Sequence, residues 1–317
     1  MSTIDAQLTG YLNDAYAIER QALVQMEAAP DIAGDPKLAA DFERHRGETE
    51  RHRDLVRERL EQRGGSPSRV KDLVFEAGGI GFVMFAASQP DTPGKLLSHA
   101  LSYEHLEQAG YELLLRVAER AGDDETARVA REIGEQERAM AERLEGSFDR
   151  AVDASLDALD PDELGEQVTK YLADAHALEQ QAIELLQRGG DIAGSTGLAR
   201  LYDDHLEQSR EHARLLEGLL EARDSSPSRL KDAAMKLGGL NWGAFFQAQD
   251  DTPGKLAAFA HAFEFLEIGG YEQLRRVAQR AADAEVARVV DSILADERAM
   301  AGRLVEAFDE AAFASLA

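Results

Sequence analysis

The stretch DPKLAADFERHRGETERHRDLVRERLEQRGG, residues 35–65, indicates the fold most clearly. An aspartate followed by proline is typical of a helix N-terminus, because the aspartate caps the first turn and proline fits its first position. The two closing glycines are typical of a helix C-terminus. Between them, apolar residues recur every three or four positions, which predicts one long amphipathic helix.

Three other stretches of the first half share this period: residues 3–28, residues 92–121, and a segment that starts after Asp123 and continues through Phe148. No stretch alternates in the manner of a strand. Short turns join the first helix to the second and the third to the fourth, whereas about 28 residues join the second to the third. This pattern predicts an all-α, ferritin-like four-helix bundle with a long crossover between its second and third helices.

The whole pattern occurs twice, at an offset of 160 residues. DTPGKL at 91–96 recurs at 251–256, and about 70 of the 157 superposed positions are identical, which indicates a tandem duplication. We expect two domains, residues 1–157 and 158–317, each large enough for its own core. We also expect the copies to form an intramolecular pseudo-dimer, with further oligomerisation left open.

Composition narrows the classes of function. The 317 residues include 60 acidic and 35 basic side chains, a net charge of −25, so nucleic acid and anionic membrane surfaces are poor partners. The absence of cysteine excludes disulfides, thiolate zinc sites, iron–sulfur clusters and a cysteine nucleophile. The N-terminus is polar and no apolar run approaches the length of a membrane span, so we expect a cytoplasmic protein.

Every predicted helix of the first copy carries ionisable groups on its apolar face. They are Glu19, His45, Glu48, His52, Glu104, Glu107 and Glu137. Buried carboxylates without partners cost several kcal/mol, and bound metal cations would remove this cost. Because carboxylates with a few imidazoles suit iron or manganese, the pattern predicts metal ligands and two iron ions per bundle, with manganese as the alternative.

The second copy keeps six of these seven residues. The matched ligands are Glu179, His205, His212, Glu264, Glu267 and Glu297. Gln208 stands where the first copy has Glu48, and a neutral amide is a poorer ligand than a carboxylate. We therefore expect the second site to be weaker, altered or empty, and iron to favour the first copy. His99, His105 and His176 have no matching histidine and are expected at the surface.

Simpler interpretations remain open for each residue alone. His45 and His52 would suit satisfied core histidines, and Glu104 with Glu107 would suit a solvated edge. Tyr111, one turn beyond that pair, and its counterpart Tyr271 are interpreted as core-packing residues. The convergence of four helices in two copies favours a metal site. The alternative function is a metal-free helical scaffold with a buried polar network; iron storage in a cage is weaker, because fusing two bundles restricts symmetric assembly.

Four motifs carry a resemblance to a known family: AIERQAL at 17–23, H-x-x-E-T-x-x-H at 45–52, YEHLEQAGY at 103–111 and QERAMAERL at 136–144. The sequence resembles the ferritin-like stress-response proteins of the YciE/YciF type, built on a domain of unknown function. The resemblance covers each copy and implies a compact, often dimeric domain with a di-iron centre. It also implies a stress-related protein that binds iron or reacts with peroxide or dioxygen; as an enzyme it would be an oxidoreductase of ferroxidase or peroxidase type. The ligands it implies are Glu19, Glu48, Glu104 and Glu137.

Overall fold

A computed structural model describes residues 3–67, 92–227 and 252–314 of the chain. Throughout these ranges the regular structure is helical and no strand occurs, which confirms the all-α prediction. The connecting segments 68–91 and 228–251, to which the sequence assigns most of each long crossover, lie outside the described residues. In the part of the chain that is described, no helix has an apolar stretch long enough to cross a membrane.

The chain divides into two compact units, unit 1 up to Asp157 and unit 2 from Ala158. The described part of unit 1 contains helices α1 (Thr3–Ile32), α2 (Pro36–Gln62), α3 (Thr92–Ala121), α4 (Asp124–Glu145) and α5 (Phe148–Leu156). That of unit 2 contains a 3₁₀ turn (Pro161–Glu163) and helices α6 (Leu164–Ile192), α7 (Thr196–Glu221), α8 (Thr252–Arg280) and α9 (Ala284–Ala314).

The contacts between α2 and α4 define the direction of the helices in unit 1. Arg59 Nη2 lies 2.9 Å from Asp123 Oδ1 near the start of α4, and Glu48 Oε2 lies 3.3 Å from Arg143 Nη2 near its end. The two helices are therefore antiparallel. Since α4 also reverses the direction of α3 across a short turn, α2 and α3 run the same way. The end of α2 and the start of α3 thus lie at opposite ends of the bundle, as a ferritin-like connection requires.

Both ends of α2 form as its sequence predicts. Asp35 Oδ1 accepts hydrogen bonds from the backbone N–H groups of Lys37 and Leu38, each at 2.9 Å. At the other end Gly64 takes a φ of +75°, and Gly65 N donates to Leu60 O at 2.9 Å. This is the glycine-dependent C-terminal motif that satisfies the last free carbonyl groups.

Helix α1 is longer than the sequence predicts. It was expected to end at Ala28 but continues to Ile32, with Pro30 inside its last turn. The chain leaves the helix at Gly34, where φ is +69° and a Cβ atom would lie 2.6 Å from Pro93 Cγ. The end of α1 is therefore set by a glycine that must adopt a left-handed conformation against the first turn of α3.

The fourth helix of unit 1 is interrupted, although the sequence predicts that it continues through Phe148. Helix α4 stops before Gly146, and the side chain of Ser147 donates to a backbone carbonyl one turn earlier at 2.8 Å. Such a bond competes with continuation of the helix, and glycine has little helical preference. The matching residues in unit 2 are Glu306 and Ala307, and α9 runs through them without a break.

The apolar faces of each unit meet along its axis. In unit 1 the core includes the fully buried Leu12, Phe42, Leu97, Ile133 and Leu144. Helix α1 packs on α2 and α3, and α4 packs on the same two helices. Each helix thus presents one face to a shared interior, where the ionisable residues interrupt the apolar stripes.

Candidate metal centre

Six of the seven ligand candidates of unit 1 converge in the middle of its bundle. They are Glu19 of α1, His45 and His52 of α2, Glu104 and Glu107 of α3, and Glu137 of α4. None is more than 1% exposed. Helical periodicity brings them together, because each lies on the stripe that faces the bundle axis.

The six residues form two groups that share Glu137. The His45 cluster contains His45, Glu104, Glu107 and Glu137, and the His52 cluster contains Glu19, His52 and Glu137; within each, the donor atoms lie within 4.8 Å of one another. Glu137 Oε2 is 3.1 Å from His45 Nε2, whereas Glu137 Oε1 is 2.7 Å from His52 Nδ1. A carboxylate that offers one oxygen to each group has the geometry of a bridge between two metal ions.

Several of the donor atoms lie close together without forming hydrogen bonds. His45 Nε2 lies 3.1 Å from an oxygen of both Glu104 and Glu137, yet it forms no hydrogen bond. Both carboxylate oxygens of Glu107 are buried and also form none. Because buried polar atoms are almost always hydrogen-bonded, this set of unsatisfied donors and acceptors fits a cation site.

Outer hydrogen bonds fix the orientation of both histidines. His45 Nδ1 lies 3.0 Å from Glu48 Oε2, and His52 Nε2 lies 3.0 Å from the Gln136 side-chain oxygen. In the neutral form of each ring, the outer nitrogen therefore carries the proton and donates a hydrogen bond to this oxygen. The remaining lone pair, on His45 Nε2 and on His52 Nδ1, then faces the cluster, as metal-binding histidines require.

Glu48 lies outside both clusters, although the sequence places it among the ligands. Its side chain is 20% exposed and contacts His45 and Arg143. The inward stripe of α2 instead passes through Thr49, which is fully buried. From His45, both the third and the fourth following residue lie close to the same face of a helix, so spacing alone did not separate Glu48 from Thr49.

Unit 2 contains the same arrangement of six residues. The His205 cluster contains His205, Glu264, Glu267 and Glu297, and the His212 cluster contains Glu179, His212 and Glu297. Glu297 Oε2 is 3.4 Å from His205 Nε2, and Glu297 Oε1 is 2.9 Å from His212 Nδ1. All six are buried, and both oxygens of Glu267 form no hydrogen bond, as for Glu107.

Gln208 does not remove an inner ligand from unit 2. Its side-chain oxygen lies 3.3 Å from His205 Nδ1, the outer position that Glu48 occupies in unit 1. The expectation of a weaker second site assumed that Glu48 contacts the metal. Because Glu48 and Gln208 both lie behind a histidine, the geometry removes that reason, and each unit contains clusters that could hold a metal.

The outer partners of the second histidine in each unit were missed by sequence reasoning. These partners are Gln136, described above, and Asp296, whose Oδ2 lies 3.2 Å from His212 Nε2. Both residues directly precede the glutamate that the two clusters of their unit share. The one sign of them in the sequence is that both copies have a polar residue at this position, the neutral Gln136 in the first copy and the charged Asp296 in the second.

Tyr111 and Tyr271 are buried as predicted, but they do more than fill the core. The hydroxyl of Tyr111 donates a hydrogen bond to Glu19 Oε1, and that of Tyr271 donates to Glu179 Oε1. Each bond satisfies one carboxylate oxygen, while Oε2 of both glutamates forms no hydrogen bond. The tyrosines therefore orient the free oxygen of a candidate ligand.

The remaining histidines lie outside the clusters. The expectation of surface positions is wrong for His105 and His176, which are buried, and His99 is half-buried. His261 packs edge-on against Phe308, and burial lowers its pKa to about 4. Helix faces between the apolar stripe and the exposed side are thus more deeply packed than the sequence pattern indicates.

Burial dominates the electrostatics of unit 1. It raises the pKa of Glu19 to about 8 and that of Glu104 to about 7, although neighbouring histidines oppose the rise. Burial and the nearby carboxylates raise the pKa of Glu107 well above its usual range. Burial also opposes a charged His52, but the carboxylate of Glu137, 2.7 Å from its Nδ1, and the charge of Glu19 outweigh this effect and raise the pKa of His52 to about 9.

Unit 2 shows the same behaviour. Burial raises the pKa of Glu264 to about 8 and that of Glu297 to about 7, and it raises that of Glu267 well above its usual range. The pKa of His212 rises to about 11, because the nearby carboxylates of Glu179, at 3.3 Å, and Glu297, at 2.9 Å, outweigh the effect of burial. In both units, bound protons or metal ions would therefore stabilise the buried carboxylates.

A family model described as a domain of unknown function (DUF892) matches residues 3–157 and again residues 163–317. The chain therefore belongs to this family and contains two tandem copies of its domain, which confirms the duplication and the family expected from the sequence motifs. No solved structure matches the chain.

Proposed function

We propose that each unit holds a dinuclear iron or manganese centre, and that the protein uses these centres to react with peroxide or dioxygen. The observation that supports this most strongly is the sharing of one glutamate by two buried clusters. Glu137 and Glu297 each direct one oxygen to each histidine of their unit. A hydrogen-bonded network has no need of this symmetry, whereas a pair of metal ions does.

One ion of unit 1 would be held by His45 Nε2, Glu104, Glu107 and one oxygen of Glu137. The other would be held by Glu19, His52 Nδ1 and the second oxygen of Glu137. A set of four carboxylates and two imidazoles without sulfur suits iron and manganese better than soft metals. Four carboxylates also balance the charge of two divalent ions.

Bound iron would supply one-electron redox chemistry and polarise an oxygen substrate. The residues of the chain have separate tasks. Glu48 and Gln136 accept the outer N–H groups of the histidines, so that the opposite ring nitrogens can bind the metals, and Tyr111 holds Glu19 by one oxygen. The apolar core around the site limits the access of water. A role in the removal of peroxide would suit a stress-related cytoplasmic protein.

A metal-free scaffold with a buried polar network is the second candidate. The ion pairs of His52 and Glu137 favour it, since a network also places such groups together. Against it stands Glu107, whose two buried oxygens form no hydrogen bond. A network that leaves a carboxyl group unsatisfied is less stable than an apolar core, so a structural role alone gives no reason for this residue.

Residues 1–157 and 158–317 would each act as one domain, and the duplicated chain would replace a homodimer of single-domain relatives. A monomeric full-length chain in light scattering is the expected result. A stable dimer or higher oligomer would contradict the idea that duplication substitutes for dimerisation.

Elemental analysis of the full-length chain after loading with Fe(II) or Mn(II) tests the proposed centres. We expect about two ions per unit and about four per chain. Glu137→Gln and Glu297→Gln should each lower the metal content of the chain from about four ions to about two, because each changes the shared glutamate of one unit only. In the iron-loaded protein, the amount of Fe(II) that dioxygen or hydrogen peroxide oxidises should fall in each variant together with its iron content.

Glu135→Gln is the matched control, because Glu135 is exposed on the same helix and the charge change is identical. It should leave the metal content unchanged. If the loaded wild-type chain binds no metal in defined ratio, or if Glu137→Gln and Glu135→Gln bind equally, the dinuclear proposal is wrong. Defined metal content without iron oxidation would reject the reaction and retain the centre.

A further inference from the structure

The two units differ in which histidine has a carboxylate behind it. In unit 1, His45 contacts the carboxylate of Glu48, whereas His52 contacts the neutral amide of Gln136. In unit 2 the charges are exchanged: His205 contacts the neutral Gln208. His212 in turn contacts the carboxylate of Asp296, at 3.2 Å. The inner ligands are the same, so the units differ in the position of one negative charge, which lies behind the first histidine, His45, in unit 1 and behind the second, His212, in unit 2.

A carboxylate that accepts the outer N–H of a metal-binding histidine makes the imidazole a stronger ligand and fixes its orientation. An amide oxygen fixes the orientation but adds no charge. Loss of such an outer partner typically lowers metal affinity by about 10- to 100-fold. Which histidine has the carboxylate therefore biases which metal position fills first.

The two positions of each unit are also unequal in their inner ligands. The His45 and His205 clusters each contain three carboxylates, whereas the His52 and His212 clusters each contain two. The first position is therefore the stronger in both units before the outer residues are considered. In unit 1 the outer carboxylate adds to this preference, and in unit 2 it opposes it.

We propose that Glu48 and Asp296 are positioning residues that make unit 1 fill its two metal positions one after the other and unit 2 fill its two positions nearly together. This inference rests on the proposed dinuclear centre and extends it. Unit 2 then reaches the two-metal state at metal concentrations at which unit 1 holds mainly one ion. The duplicated chain thus contains two centres that respond to different metal supply.

Two contacts moderate the size of the effect. Arg143 Nη2 lies 3.3 Å from Glu48 Oε2 and offsets part of its charge. Asp296 is 47% exposed, so water screens its charge. Within each unit, the dissociation constant of the second histidine's position (His52 or His212) can be divided by that of the first (His45 or His205). We therefore expect this ratio to be about 10- to 100-fold larger in unit 1 than in unit 2.

Proton NMR during titration of the full chain with Co(II) alone measures this ratio. A histidine bound to Co(II) shows its outer ring N–H proton far outside the normal spectral range, so each position reports separately. The four signals are assigned by their loss in His45→Gln, His52→Gln, His205→Gln and His212→Gln. In the wild-type chain the His45 signal should appear well before that of His52, whereas the His205 and His212 signals should grow together.

Exchange of the outer residues should exchange the behaviour. Glu48→Gln combined with Gln136→Asp should bring the two signals of unit 1 together, and Gln208→Glu combined with Asp296→Gln should separate those of unit 2. Glu50→Gln, an exposed change of the same charge on α2, should change neither ratio. Thermal unfolding of each metal-free variant shows whether it is folded, and the N–H signals distinguish positioning from a general loss of structure.

Equal ratios in the two wild-type units, or ratios that do not respond to the exchange, would overturn this inference and leave the dinuclear centre intact. An equal response to Glu50→Gln would also overturn it. If none of the four histidines gave a shifted N–H signal, both the inference and the proposed centre would be wrong.

Discussion

Unit 1 and unit 2 have the same ionisable residues inside their bundles, but they differ in the residues that contact the outer nitrogens of the histidines. Each retains four glutamates and two histidines in the same two clusters, with one glutamate shared. The outer contacts differ at the positions of Glu48 and Gln208, and again at those of Gln136 and Asp296. The comparison separates the residues that could hold a metal from the residues that contact their histidines from outside.

Metal removal should have the largest effect, and it should affect both units. Binding to the folded state alone stabilises it by about 2.7 kcal/mol at a hundredfold excess over Kd. For domains of this size, we expect the melting temperature to rise by several degrees on loading with Mn(II). Hydrogen exchange read by mass spectrometry should show added protection in α2 and in α7. Protection confined to unit 1 would restore the view that Gln208 disables unit 2.

Replacement of Glu107 by leucine should separate stability from metal binding. The buried carboxyl group has no hydrogen bond, so Glu107→Leu should stabilise the metal-free protein by about 1–3 kcal/mol. The same change should abolish the protection from hydrogen exchange that Mn(II) gives to unit 1. Glu267→Leu should have the same two effects in unit 2. Calorimetry with and without metal measures the change in stability.

Glu107→Gln is the control, because it keeps a polar side chain; it should weaken metal binding without the gain in stability. If Glu107→Leu destabilises the metal-free protein, the polar-network interpretation is favoured.

The stability of the metal-free protein should fall as the pH rises from about 6 to 9. The folded-state pKa values of Glu19, about 8, and Glu104, about 7, are raised, so their stabilising contribution is lost as the pH rises through those values. The pKa of His52, about 9, acts in the same direction, and that of His212, about 11, extends the loss in unit 2 to higher pH.

Metal binding should show the opposite trend, because the ligands must lose their protons. The rise in melting temperature caused by Mn(II) should therefore increase between pH 6 and 8. Thermal unfolding across this range, with hydrogen exchange to separate the units, checks both trends. A metal-free protein whose stability rises with pH would contradict the assignment of buried, proton-binding carboxyl groups.

Loss of the tyrosine hydroxyl groups should have the smallest effect. Tyr111→Phe removes the hydrogen bond to Glu19 and should cost about 1 kcal/mol of stability, together with a modest loss of affinity in the His52 cluster. Tyr271→Phe should do the same in unit 2, since its contact with Glu179 is equivalent. Chemical denaturation and Mn(II) titration are the measurements. Tyr16→Phe in α1 is the control and should leave metal affinity unchanged.

Helical periodicity was enough to predict the bundle and six residues of each interior. Long stripes with a 3.6-residue period specify which residues face the axis, and an ionisable residue on such a stripe is easy to see. Within one turn the period does not distinguish two neighbouring positions. It therefore groups Glu48 with the inner residues, whereas Thr49 is the buried residue in the structure. Gly146 and Ser147, which interrupt the fourth helix of unit 1, gave only a weak local signal beside the strong apolar pattern around them.

Contacts between helices were beyond the reach of the sequence pattern. Gln136 and Asp296 become important because each meets a histidine 84 positions away in the chain. Tyr111 meets Glu19 across 92 positions. The rotation and the axial shift of packed helices decide such contacts, and neither follows from the period of one helix.

Anomalous X-ray diffraction from crystals of the Mn(II)-loaded full-length chain tests the central claim most directly. We expect two peaks in each unit, with Glu137 between one pair and Glu297 between the other. The ring nitrogens nearest the metals should be Nε2 of His45 and His205, and Nδ1 of His52 and His212. Bundles without anomalous peaks, or with peaks only at the acidic surface, would contradict the dinuclear centres.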